Sequence, residues 1–178
     1  MRILDYGAGW KAIHARGLRD LGYEVVAHDF GRNFDPAVHD AGALSRVYDV
    51  VYASNVLNVQ CTTSALARTL YELASVVEPE RGFAVVNYPT DPRKMPGISA
   101  QEVRRALGEV FWVVGEVPKQ SCPVWECWEP IPECRAVLAR MAPYTAEEIE
   151  RATIRPSGAV GAGALVPRIV VAMLGAMQ

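Results

Sequence analysis

A chain of 178 residues that is 51% hydrophobic and 21% charged has enough length for one domain with a sizeable core and too little for two comfortable ones. The composition excludes a disordered or low-complexity chain. The formal net charge of −2 argues against a protein that grips nucleic acid unaided through a basic face.

The organising stretch is the first one. Ile3 and Leu4 predict a short strand ending in Asp5, and Gly7-Ala8-Gly9 a tight turn. Ala15, Leu18 and Leu21 recur at helical spacing up to a stop at Gly22, and Val25 to Ala27 predict a second strand ending in Asp29. This is half of a βαβ nucleotide-binding unit. Gly7 and Gly9 lack a Cβ, so the backbone can turn sharply and come close to a ligand. Asp29, 20 residues beyond Gly9, is spaced to accept hydrogen bonds from both hydroxyls of a ribose. Asp5, two residues before the first glycine, and Ala12, where a dinucleotide fingerprint has its third glycine, weigh against a pyrophosphate-binding dehydrogenase.

Beyond Asp29 the chain is irregular and polar, with a turn at Asp35-Pro36 and no apolar run that would make a strand. Val50 to Val59 then give a nearly continuous apolar run, the pattern of a strand covered on both faces, with Ser54, Asn55 and Asn58 towards its carboxyl end. Thr62 or Thr63 caps a helix that sets Leu66, Leu70, Leu73 and Val77 on one face and Arg68, Glu72 and Ser75 on the other. A strand over Phe83 to Pro89 leads into a turn-rich loop with Asp91, Arg93 and Lys94. Ser99 to Glu102 is a capping box opening a helix through Leu107. Phe111 to Val117 and Pro123 to Glu129 read as a strand pair in which Phe111, Trp112, Trp125 and Trp128 divide between core and surface, at least half of them core. Thr145 to Glu148 is a second capping box, predicting a helix to about Ala152. The apolar run around Pro167 and Arg168 approaches the ~20 residues of a membrane span, but those two residues and several glycines interrupt it, so no span is expected.

Cys61, Cys122, Cys127 and Cys134 show no paired metal-ligand spacing and are remote in sequence from His14, His28 and His39, so no metal site is expected. With no hydrophobic leader before the first strand, the reading is of reduced thiols and a cytoplasmic location.

The run Ile3 to Lys11 (ILDYGAGWK), followed by Val25 to Phe30 (VVAHDF), resembles the first two motifs of the class I S-adenosylmethionine-dependent methyltransferases, and Asp49 to Asn58 resembles their fourth. The resemblance implies an α/β Rossmann-like fold with a mostly parallel sheet, helices on both faces, a short or lost third strand and an antiparallel C-terminal β-hairpin. The family core would span residues 1–130, and residues 131–178 would form an extension that caps the pocket or builds a homo-oligomer. Deleting the extension is expected to leave cofactor binding largely intact. The implied cofactor is S-adenosylmethionine, held by Asp5, Gly7, Ala8, Gly9, Lys11, Asp29, Phe30, Asp40, Ser54 and Asn55. Lys11 replaces the family's third glycine, where it either crowds the pocket or pairs with the methionine carboxylate. Asp40 would reach the adenine amino group.

Methyl transfer from a sulfonium is an in-line displacement with a neutral leaving group, so the protein supplies chiefly position and exclusion of water. Candidate catalytic side chains near the crevice are Asn58, His14, Tyr88 and Asp91, with His39 a further possible base. Ser54-Asn55-Val56-Leu57 stands where base-amine methylases carry a proline-aromatic motif, and Cys61 lacks the preceding proline of a cytosine-C5 nucleophile. The substrate expected is therefore a small molecule or nucleobase-bearing compound. A nucleic-acid methyltransferase and a non-catalytic methyltransferase-like subunit are the alternatives.

Overall fold

The structure is a computed structural model that describes residues 1–89 and 98–153. Each strand begins within one residue of the start of its apolar pattern. β1 (Arg2–Tyr6), β2 (Glu24–His28), β3 (Val50–Ala53) and β4 (Phe83–Asn87) pair in parallel, and β5 (Phe111–Glu116) and β6 (Val124–Pro130) form an antiparallel pair joined to β4 through β6. The order across the sheet is β2-β1-β3-β4-β6-β5. The chain runs outward from β1 to β2, then returns to β3 on the other side of β1. That reversal is the topological switch point, outside whose carboxyl ends ligands bind in open α/β sheets. The expected α/β fold, with a mostly parallel sheet and an antiparallel terminal hairpin, is the one found.

Both faces are covered. α1 (Ile13–Asp20) lies over Ile3, Val25, Ala27, Val50 and Tyr52, while α2 (Thr63–Val76), α3 (Ala100–Leu107) and α4 (Cys134–Leu138) cover the opposite face around Leu4, Val51, Val86 and Trp125. Leu66, Leu70 and Leu73 of α2 are buried as their spacing predicts, each contributing about 1.5–3 kcal/mol of transfer free energy. The caps are those of the sequence. Thr62 Oγ1 accepts from the Ala65 amide at 3.0 Å, Ser99 and Glu102 form a reciprocal capping box, and Thr145 and Glu148 form another ahead of α5 (Ala146–Thr153).

Two helix faces differ from expectation. Leu21 falls just past the end of α1 and is exposed. Glu72, expected on the outer face of α2, is buried because the chain after α4 wraps across that flank. Among the described residues 29–49 contain two 3-10 turns and no strand, so the third strand of the family pattern is absent there. Phe111 and Trp125 are buried, Trp128 stacks on Phe83, and Trp112 is exposed, in keeping with the expected division of the hairpin aromatics. No helix among the described residues is long and apolar enough to cross a membrane. Asp91, Arg93, Lys94 and residues 154–178 lie outside the described residues.

Candidate cofactor site

The glycine turn sits at the carboxyl end of β1 and is built from left-handed backbone. Gly7 and Gly9 have φ of 74° and 68°, values that side-chain-bearing residues reach only with strain, and Ala12 adopts 43° just before α1. Gly7 has a second reason to be glycine: a Cβ there would lie 2.5 Å from a methyl of Val56, which packs over the turn from the loop after β3. Gly9 faces open space instead, so its bare Cα leaves room for a ligand. The Gly7 and Ala8 amides both donate to the His28 carbonyl at 2.9 Å, which ties the turn to β2.

Asp29 ends β2 beside this turn. One carboxylate oxygen accepts the Gly9 amide at 2.7 Å and the other the Phe30 amide at 2.8 Å. The group is buried, and burial raises its proton affinity, opposed first by the Phe30 and then by the Gly9 amide. The turn is also braced by His39, from the loop that stands where a third strand is missing. Its Nε2 lies 3.0 Å from the Gly9 carbonyl, and its Nδ1 accepts the Asp35 amide at 3.0 Å. An Nε2–H tautomer satisfies both contacts.

Asp5 is differently placed. It lies on the α1 face of β1, 1% exposed, and accepts the Ala15 amide in the first turn of α1 at 3.1 Å. Burial pushes its pKa up to about 7. The nearby Tyr52 hydroxyl opposes the shift, but the two do not reach hydrogen-bond geometry. Asp5 thus joins the glycine turn to the start of α1 from beneath.

On the other side of the switch point, Asn55 takes a left-handed φ of 59° after β3. Asn87, fully buried at the end of β4, accepts the Asn55 amide at 2.6 Å and donates back to the Asn55 side-chain oxygen at 3.1 Å. This reciprocal pair fixes the loop after β3. The Ser54 hydroxyl and the Asn58 side-chain oxygen are buried there without a hydrogen-bond partner, and such groups carry a desolvation cost until something donates to them.

The structure therefore gathers Gly7, Ala8, Gly9, Asp29 and Phe30 on one side of the switch point and Ser54, Asn55 and Asn58 on the other. Lys11 is exposed, with its ammonium 4.6 Å from the centre of the Trp10 ring. The Asp40 carboxylate is held by the Arg46 guanidinium and the Gly42 amide, which lower its pKa. His14 is half-buried on α1, and burial lowers its pKa. The Tyr88 hydroxyl donates to the Ile98 carbonyl at 3.0 Å, within the face covered by α2 and α3. Sequence reasoning missed Asn87 as the partner of Asn55 and missed Val56 as the side chain packed over Gly7. Asn87 closes an apolar strand with a buried amide, and that anomaly is the one local signal that could have found it. Among the described residues no cluster of side chains is suited to a metal, and none of the four cysteines is in a disulfide.

No family model matches the chain, and no curated protein sequence matches it. Solved structures do. A protein of Pyrococcus horikoshii superimposes with a TM-score of 0.56 at 14% identity over 73% of this chain and 82% of its own. The Thermus thermophilus 16S rRNA N2 G1207 methyltransferase, solved with AdoMet and guanosine, gives 0.55 at 13% identity over 82% of this chain and 37% of its own. An O-methyltransferase family protein of Burkholderia thailandensis gives 0.51 at 14% identity over 74% of this chain. The present chain spans about half of the Burkholderia protein, 52%. At such low identities the superpositions show architecture alone, and that architecture is the Rossmann-like fold found in class I S-adenosylmethionine-dependent methyltransferases.

Proposed function

We propose that the protein is an S-adenosylmethionine-dependent methyltransferase acting on a small molecule or nucleobase-bearing compound. The observation that carries the reading is Asp29. A buried carboxylate stands at the carboxyl end of β2, 2.7 Å from the amide of a glycine whose Cα faces open space, beside the switch point of a sheet with methyltransferase strand order. A ribose diol is what such a carboxylate accepts from.

The donor set fits the cofactor. Asp29 would hold the ribose, Gly9 would leave room for it, and Ser54 and Asn55 would meet the methionine end, where the unpartnered Ser54 hydroxyl awaits a donor. When bound, the cofactor supplies an electrophilic methyl group on a sulfonium. The chain's own residues supply position: the Asn55–Asn87 pair fixes the loop that faces the reacting centre, and Val56 closes it against Gly7. Asn58, with its buried unpartnered oxygen, is the candidate for holding an N–H or O–H of the acceptor.

One observation favours a second reading, a non-catalytic methyltransferase-like subunit. The Gly9 and Phe30 amides already give each Asp29 oxygen one hydrogen bond, so the buried carboxylate is stabilised without a ligand, while each oxygen keeps a lone pair for a ribose hydroxyl. Calorimetry separates the two. Titration with S-adenosylhomocysteine should show saturable binding, and Asp29→Ala should weaken it at least about 100-fold, the value of two charge-assisted hydrogen bonds at ~1.5 kcal/mol or more each. Binding of NAD in place of S-adenosylhomocysteine would support a dehydrogenase-type site, and binding of neither would support the non-catalytic subunit.

A further inference from the structure

The ring of Phe30, which follows Asp29, stacks on Tyr144 with centroids 5.4 Å apart and planes inclined by 17°. Tyr144 belongs to the chain leading into α5, far along the sequence from the sheet residues it touches. Its hydroxyl donates to Glu72 Oε2 at 3.0 Å, lies 3.0 Å from Thr69 Oγ1, and approaches the Tyr6 hydroxyl at the end of β1 at 3.5 Å. The Tyr6 hydroxyl donates to the same Glu72 oxygen at 2.5 Å, and Arg68 pairs with the other at 2.9 Å. A carboxylate buried in the middle of α2 is costly unless it is hydrogen-bonded and paired, so Glu72 fixes where the Tyr144 hydroxyl goes. The Arg68 guanidinium lies 5.2 Å from the centre of the Tyr144 ring and donates to the Met141 and Ala142 carbonyls at 3.3 and 2.9 Å.

α5 continues across the carboxyl end of the sheet. Glu150 pairs with Arg32, two residues beyond Phe30, at 2.8 Å. The Glu148 carboxylate accepts from Thr62 and from Ser64 at the start of α2, in the loop after β3. Residues 141–150 therefore join the loop after β2 to the loop after β3, the two sides of the switch point.

We propose that Tyr144 is a positioning residue of the nucleoside subsite, acting through Phe30: it holds the plane of the Phe30 ring so that a base meets an aromatic face already fixed in orientation. The inference rests on the methyltransferase reading above and adds part of residues 131–178 to the cofactor site. An unsupported half-buried phenylalanine at a loop would lose side-chain freedom on binding, and a pre-stacked ring avoids that cost. Tyr144 is anchored by its hydroxyl and stacks by its ring, so the two contributions separate by substitution.

The test is calorimetry with S-adenosylhomocysteine and with adenosine, alongside ligand-free thermal unfolding, on the wild-type protein, Tyr144→Phe and Tyr144→Ala. Tyr144→Phe keeps the stack and removes a donor from buried Glu72, so it should lower Tm while leaving both dissociation constants within about twofold. Tyr144→Ala should lower Tm and also weaken both ligands by about tenfold, the upper range of the cost of immobilising one side chain on binding. If Tyr144→Ala does not fold, Tyr144→Leu, which fills space without a stacking face, should show the same loss. Wild-type affinity in the folded Ala or Leu variant would overturn the inference, and so would an equal loss in Tyr144→Phe. Absence of S-adenosylhomocysteine binding to the wild-type protein would instead remove the methyltransferase reading, and this inference with it.

Discussion

Asp5→Asn is the substitution whose effect is worked most directly from the structure. The native Asp5 carboxyl is buried and its pKa is pushed up to about 7, from 3.8 for the free side chain, chiefly by loss of solvation. The native state thus holds a proton that the unfolded chain releases near 3.8. The resulting stability is fully present below that value and is lost as pH rises towards 7. At 1.36 kcal/mol per tenfold change in proton affinity, the full cost above pH 7 is about 4 kcal/mol, of which about 2.5 kcal/mol accrues between pH 5 and pH 8. His28 acts with the opposite sign: burial pushes its pKa down to about 4, so its contribution falls as pH drops below 6.5 and tends to flatten the wild-type profile. The difference between wild type and Asp5→Asn cancels that term. Asparagine keeps an oxygen for the Ala15 amide and cannot ionise. In urea unfolding followed by circular dichroism, the stability of Asp5→Asn relative to wild type should rise by about 2.5 kcal/mol from pH 5 to pH 8. A difference that stays flat over that range would refute the reasoning, because it would mean that Asp5 ionises in the fold as it does in the open chain.

Gly7→Ala should cost about 2–5 kcal/mol in chemical denaturation, combining a left-handed alanine with overpacking against the Val56 methyl 2.5 Å away. Adding Val56→Ala should recover the packing part and leave the backbone part. Ser99→Ala removes the side-chain half of a capping box at an exposed position, and should lower Tm by about 2–4 °C without affecting ligand binding.

The parts of this protein legible in its sequence are those fixed by near neighbours. Gly7 and Gly9 announce a left-handed turn, Ser99 with Glu102 and Thr145 with Glu148 announce helix starts, and the apolar run over Val50 to Ala53 announces a doubly covered strand, because each depends on residues a few positions apart. The turn and acid motifs also carried the fold, since the spacing from Gly9 to Asp29 is that of a parallel βαβ unit. What the sequence hides is long-range. Glu72 has the spacing of an outward-facing residue on α2, and only the return of the chain at Tyr144, 72 residues later, buries it. The Asn55–Asn87 pair spans 32 residues and two strands. Asp5 reads as a ligand-facing acid from its motif, yet it lies under α1, where its carboxyl accepts the Ala15 amide.

The most direct test of the central claim, that the crevice at the switch point holds the nucleoside of S-adenosylmethionine, is a titration of the isotopically labelled protein with S-adenosylhomocysteine, observed through backbone amide resonances. The Gly9 and Phe30 amides, which now donate to Asp29, should shift furthest and saturate together with the Ser54 and Asn55 amides, and Asp29→Asn should move saturation to much higher ligand concentration. Saturation that leaves Gly9 and Phe30 unmoved, or no response at any amide, would contradict the account.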